Sequence, residues 1–222
     1  MELAKPRVDI GLATDNLDAM LAFWQGEAGA PFDHLLKIRA GHHQHRHDVN
    51  ASVLKINNTV GAAQPDTPPS GYRELVIARP GLTEPRPMTD PDGNRVTLAP
   101  PGWQGVTQIG VRLAVRDLER HRAFYRDALG FSEEPHPGGA AFRAGETLIL
   151  LEPSPDAPSD AQMPGRGWRY ITFQVFKVDE AHARVLAAGG REAMAPTTLG
   201  TTARISMIRD PDGNWIELSQ RA

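Results

Sequence analysis

The chain repeats itself. DNLDAMLAFW (Asp15 to Trp24) returns as RDLERHRAFY (Arg116 to Tyr125) at an offset of 101 positions, and TDPDGNRVTLAP (Thr89 to Pro100) returns as RDPDGNWIELSQ (Arg209 to Gln220) at an offset of 120. Self-similarity decides the architecture before any single element is read, because each copy must form the same supersecondary unit. The second copy is therefore 19 residues longer between its two landmarks.

Each copy opens with a short apolar strand, VDIGLAT (8–14) and IGVRLAV (109–115), followed by a helix. Asn16 and Asp117 are the expected N-caps, since a short polar side chain can accept from the first free N–H groups. Leu17, Met20, Leu21 and Trp24 recur at i, i+3, i+4 and i+7, the stripe of a helix that faces a core. Leu118, Tyr125 and Leu129 keep part of that stripe, and Gly130 is the expected residue just past the helix. Strand-like runs follow: DHLLKIR, HHQHRHDV and SVLKIN in the first copy, AAFRAG and TLILLE in the second.

A further unit begins at WRYITFQVFKV (168–178), continues in a helix with Asp179 as its cap and Gly189–Gly190 as terminator, and closes with ARISMIRD and NWIELSQ around DPDGN. Proline followed by Asp and Gly suits a tight reversal. The first copy has YRELVIARP and the same closing hairpin without a helix between them, so the missing 19 residues amount to about one helix with its connection. The Pro-rich stretches 62–70 and 152–165 read as connectors. The expectation is an α+β chain of four strand–helix–strands units, the second abridged, in two halves, 1–101 and 102–222.

Composition narrows the function classes. With 40% hydrophobic and 23% charged residues the chain has ample core material, and a net charge of −3 without a basic stripe argues against nucleic acid. There is no cysteine for a disulfide, a thiolate metal site or a nucleophile. No stretch approaches the roughly 18 apolar residues of a membrane span, and MELAKPRVDIG has no secretory apolar region, so the expected location is the cytoplasm.

Paired units with D-L-x-x-x-x-x-F-Y on the helix and D-P-D-G-N-x-x-E-L at the end resemble the vicinal oxygen chelate superfamily, which includes glyoxalase I, extradiol dioxygenases, methylmalonyl-CoA epimerase, fosfomycin-resistance and bleomycin-binding proteins. The resemblance covers almost the whole chain, best over 106–220. It implies tandem βαβββ units curled into cup-shaped mixed sheets. It also implies a divalent metal (Fe, Mn, Co or Zn) held by side chains from the first and last strands of the units. The slots match unevenly: the histidine slots hold Gly110 and Tyr170, a third holds Leu150, and Glu217 alone matches the family's carboxylate. In the first half the slots hold Asp9, Lys55 and Thr97, with Tyr72 or Arg73 as the fourth.

If each half forms its own site, one cup holds Gly110, Leu150, Tyr170 and Glu217. If unit one instead faces unit four, Asp9, Lys55, Tyr170 and Glu217 gather in one cup and leave Gly110, Leu150 and Thr97 in the other. The resemblance to fused glyoxalases of this superfamily makes the second pairing the expected one. Lys55 would then lie between Asp9 and Glu217 in place of a divalent cation, keep its charge there and polarise a substrate oxygen. Tyr170 would donate a proton, and either carboxylate would act as base. The plainer alternative is a salt-bridge network that only fixes the sheet.

HHQHRH (His42 to His47) raises metal binding directly. Alternate residues of a strand share a face. An odd-length loop before SVLKIN puts His45 opposite Lys55, as ligand or acid/base, and an even-length loop puts Gln44 or Arg46 there. Any metal would be held by Glu217 with His45 and Asp9. His34, His121, His136 and His182 read as structural or surface residues. Trp24, Trp103 and Trp168 read as core, whereas Trp215 and Phe173 join Gln44 and Arg46 as expected substrate contacts.

Three functions fit. One is a lyase, isomerase or epimerase acting on a small metabolite by acid/base chemistry. The second is a metal-dependent extradiol-type dioxygenase, which lacks its required histidines at Gly110 and Tyr170. The third is a non-catalytic protein that sequesters a small molecule. The internal pairing allows either a monomer or a homodimer.

Overall fold

The computed structural model describes residues 1–221. The first unit comprises β1 (Asp9–Ala13), α1 (Leu17–Ala22), β2 (Phe32–Arg39), β3 (His42–Val49) and β4 (Ser52–Thr59), and the second β5 (Tyr72–Ala78), β6 (Arg86–Thr89) and β7 (Arg95–Ala99). The third comprises β8 (Ile109–Val115), α2 (Leu118–Ala123), β9 (Ser132–Glu134), β10 (Ala140–Ala144) and β11 (Thr147–Pro153). The fourth comprises β12 (Gly167–Gln174), α3 (Val178–Ala187), β13 (Arg191–Leu199), β14 (Ala203–Arg209) and β15 (Trp215–Arg221). The second unit thus lacks a strand as well as a helix. The 19 residues expected to be a helix with its connection correspond to α3 and β13 together.

The units pair crosswise. An eight-stranded sheet runs β13-β14-β15-β12-β1-β4-β3-β2, and a seven-stranded sheet runs β6-β7-β5-β8-β11-β10-β9. Unit one therefore joins unit four through antiparallel β1 and β12, and unit two joins unit three through antiparallel β5 and β8. Each sheet takes strands from both 1–101 and 102–222.

The helical stripe behaves as its spacing requires: Met20 and Trp24 are fully buried, and Leu17 and Leu21 pack partly buried against the same core. After α1 and α2 the chain widens into a π-type turn at the same repeated position. There Ala28 N donates to Phe23 O and Leu129 N to Phe124 O, each at 3.0 Å. Two successive aromatics, Phe23–Trp24 and Phe124–Tyr125, are thereby buried together. Asp117 caps α2 by accepting from Arg120 N at 3.0 Å. The other two expected caps differ. Asn16 makes no side-chain cap bond, and α3 starts after Lys177, leaving Asp179 in the first turn, where Arg204 binds it.

The two DPDGN turns are built alike. Asp90 Oδ1 accepts from the backbone N–H groups of Asp92 and Asn94, and Asp210 Oδ1 accepts from those of Asp212 and Asn214. Gly93 and Gly213 both have φ of +85°, which only glycine adopts freely. Each turn also locks onto another unit. Asn214 Oδ1 accepts from Gly71 N at 2.6 Å, and Asn94 Oδ1 lies so near Gly167 that a Cβ there would come within 2.8 Å. The repeated turn is scaffolding that ties units two and four together.

Candidate functional site

The β3–β4 hairpin decides which side chains enter the cup of the eight-stranded sheet. Its loop is two residues, Asn50 and Ala51, with φ of 54° and 61°, a reversal whose backbone twist matches the flanking strands. Asn50 is pinned there, its Nδ2 donating to Ala78 O at 2.8 Å and to Gln108 O at 2.9 Å. This even-length loop sets Arg46 opposite Lys55 and Gln44 opposite Asn57.

His45 is therefore not in the cup. His43, His45 and His47 point to the other face of β3, where His47 is fully buried, lies 3.3 Å from Gln25 Nε2 and meets the Phe32 ring edge-on. Burial lowers the pKa of both His45 and His47. Among the described residues no three His, Asp or Glu side chains converge as a metal-ligand group, so Glu217, His45 and Asp9 do not form the expected set. The histidine of the run that borders the cavity is His42, tied at the rim to Arg39 and Thr59.

Lys55 is the centre of the cup. Only 1% exposed, it donates from Nζ to Thr172 Oγ1 at 2.6 Å, stands 3.4 Å from Glu217 Oε2, and lies 5.2 Å from the centroid of the Tyr170 ring. Burial lowers its pKa, and the charges of Glu217 and Asp9 restore only part of that loss. Asp9 lies below the cup floor. It accepts from Lys5 at 2.6 Å, Val53 N at 2.9 Å and Gln174 at 3.1 Å. Burial opposes its ionisation, yet Lys55 and Lys5 hold its carboxyl below the ordinary range.

Tyr170 lies across Gly11: a Cβ on Gly11 would come within 2.2 Å of the ring. A directional chain of amides addresses its hydroxyl. Arg46, which can only donate, gives Nη1–H to Gln44 Oε1 at 2.9 Å. That turns Gln44 Nε2 toward Asn57 Oδ1 at 3.0 Å and the Tyr170 hydroxyl at 3.2 Å, which Asn57 Nδ2 also approaches at 3.5 Å. The phenol oxygen accepts from both sides, and its own hydrogen has no acceptor among the described residues. Burial and the Glu217 charge raise its pKa far above that of an ordinary tyrosine, so it stays protonated.

Two of the four expected substrate contacts face elsewhere. Phe173 lies in the core on the opposite face of β12, with its ring 5.0 Å from that of Phe131. Trp215 lies outside the cavity lining, held by a hydrogen bond from Nε1 to Ala161 O at 2.7 Å and by the Arg209 guanidinium 4.3 Å above its ring. Gln44 and Arg46 do line the cavity. Thr172 was missed. It is the residue level with both Asp9 and Glu217 across the strands, a place assigned in sequence to Tyr170, two positions away on the same face. Strand alternation from Tyr170 was the available signal.

The second cup is filled by its own chain. Val76, Ala99, Val106, Ala141, Leu148 and Leu150 form a closed apolar cluster with Trp103 against it, and Gly110 has no side chain because Val106 takes that space. Its charges are also engaged. The fourth slot, level with Gly110 and Thr97, holds Val76 rather than Tyr72 or Arg73. Glu74 lies two positions before it on the same face. It accepts from Arg112 Nε at 2.8 Å and from Thr97 at 2.5 Å, and Arg112 also binds Glu152. The titratable residues are thus shared between the cups. The first is open, with a cavity of about 320 Å³.

Residues 106–218 match the sequence profile of the glyoxalase/bleomycin resistance protein/dioxygenase superfamily. The chain belongs to that superfamily. Its fold is shared with glyoxalase I from Zea mays, at 17% identity and a TM-score of 0.74 over 96% of this chain and 92% of that one. A mutant of the same maize enzyme gives 16% identity and a TM-score of 0.76, over 96% and 94%. A candidate dioxygenase from Bacillus subtilis gives 12% and 0.71, over 96% and 84%. No curated protein matches the chain.

The donor set of the open cup does not suit the divalent metal that the superfamily implies. Within reach of one another stand one carboxylate, Glu217, one hydroxyl, Thr172, and an ammonium, Lys55, while Asp9 is already bound by Lys5. A lysine has no lone pair to offer a metal while charged.

Proposed function

We propose that the chain is an enzyme that acts on a small, partly apolar metabolite by proton transfer, as a lyase, isomerase or epimerase, in the cup of the eight-stranded sheet. The observation that carries this reading is the pairing of the Glu217 carboxylate with the unclaimed Tyr170 hydroxyl hydrogen around the Lys55 ammonium. A substrate oxygen received by Lys55 acquires negative charge as a proton leaves the neighbouring carbon, and a fixed cation in a dry site stabilises that charge. Glu217 takes the proton and Tyr170 supplies one. A cavity of about 320 Å³ lies in the range of small-molecule sites.

The test is proton NMR of the full chain in D₂O with pooled small carbonyl and carboxylate compounds. The expected result is exchange or conversion of at least one compound, slowed at least about tenfold by Glu217→Gln. A compound that binds without exchange or conversion would make the protein a binder and contradict the reading.

A further inference from the structure

Arg46 is a buried cation without a counterion. It is 7% exposed and forms no ion pair among the described residues. Its Nη1 donates to the neutral Gln44 amide, and its Nε is buried with no acceptor. Such an arrangement costs free energy, because a buried charge ordinarily keeps a partner. Lysine can shed its proton when buried, but a guanidinium cannot. Among the described residues no carboxylate compensates it.

The surroundings have the same sign. Of the described charged residues bordering the cavity, Arg39, Arg46, Lys55, Arg169 and Arg221 are cationic and Glu217 alone is anionic. Glu217 is claimed by Lys55, and Arg169 is satisfied by the backbone carbonyls of Gly165 and Pro68. The far wall is apolar. β2 and β13 are opposite edges of the eight-stranded sheet, yet Leu36 and Ile38 from one and Leu199 from the other border the same cavity, joined by Ile205 and Met207.

We propose that the cup binds a small carboxylate, its carboxyl group against Arg46 and its apolar body between these rims. Arg46 borders the cavity, and its Nη2, which no acceptor among the described residues claims, offers a charged donor to a carboxylate oxygen. This deepens the reading of the open cup as the active site by naming its substrate class.

The test is equilibrium binding of hexanoate, hexanamide and hexyl phosphate to the full chain. Hexanoate is expected to bind saturably, at least about tenfold tighter than the isosteric hexanamide, as loss of a charge-assisted contact requires. Arg46→Met is expected to abolish that preference. Equal affinities for hexanoate and hexanamide, no saturable hexanoate binding, or a preference undiminished in Arg46→Met would overturn the proposal, and tighter binding of hexyl phosphate would overturn the choice of a carboxylate. The wild-type comparison needs no variant to fold. Binding is read without turnover, so a carboxylate preference without conversion refutes only the catalytic reading. Conversion confined to neutral compounds refutes only this one.

Discussion

The ring of Tyr170 rests on the backbone of Gly11, in the space that any other residue's Cβ would fill. β1 and β12 pair Gly11 with Tyr170, so the absence of a side chain on one strand positions the proposed proton donor on the other. Gly11→Ala is expected to push the ring off its amide partners and to lower turnover with little change in substrate binding. Overpacking of this kind costs about 1–3 kcal/mol, which urea denaturation would register. Unchanged stability and turnover would show that the ring has another place to go.

Ala51 sits at φ of 61° in the turn that sets the β3 register. A left-handed conformation costs a non-glycine residue about 1–2 kcal/mol, partly offset by the extra chain entropy a glycine loses on folding. Ala51→Gly is expected to raise stability by roughly 0.5–1 kcal/mol in urea denaturation. A loss of stability would mean that the turn is not strained.

His121 lies under the second DPDGN turn, with Nε2 3.5 Å from Asp210 and 3.7 Å from Asp212 and with Nδ1 at Asp117 O. Burial opposes its charge, but the two aspartates outweigh burial and raise its pKa above the ordinary value. A raised folded-state pKa contributes stability that is fully present below the unfolded value of about 6.5 and is lost as pH climbs through the folded one. The urea midpoint is expected to fall as pH rises from about 6.5 into the alkaline range, and His121→Gln to flatten that fall. A variant with the same slope as wild type would assign the slope to other groups.

Most of the architecture was legible because it rests on repetition. Two motifs in one order, with residues missing from one copy, were enough for four units and a closing strand that keeps Glu217 where its twin has Thr97, while the crosswise pairing was implied by the family resemblance and not by the repeat. The cup interior was harder to read. Whether His45 or Arg46 enters it depends on the length of one turn, and that turn puts an alanine at positive φ, which alanine seldom adopts. Thr172 was passed over because hydroxyls are common on strands, although its spacing from Tyr170 placed it on the right face. The fourth slot of the second cup was set at Tyr72 or Arg73, before the bulge between Tyr72 and Glu74, whereas the register places Val76 there. The filling of the second cup by Trp103 and Val106 depends on a loop folding back, which strand periodicity does not encode.

The central claim is that one cup works and its twin is closed. The measurement that tests it most directly compares Glu217→Gln with Glu74→Gln, at equal folded concentration, on a compound the wild type converts. Both changes are nearly isosteric, and the two glutamates sit in opposite cups, one facing Lys55 and the other Arg112. The account predicts at least about a tenfold loss of turnover for Glu217→Gln and less than about a twofold change for Glu74→Gln. Equal losses, or a larger loss for Glu74→Gln, would contradict it.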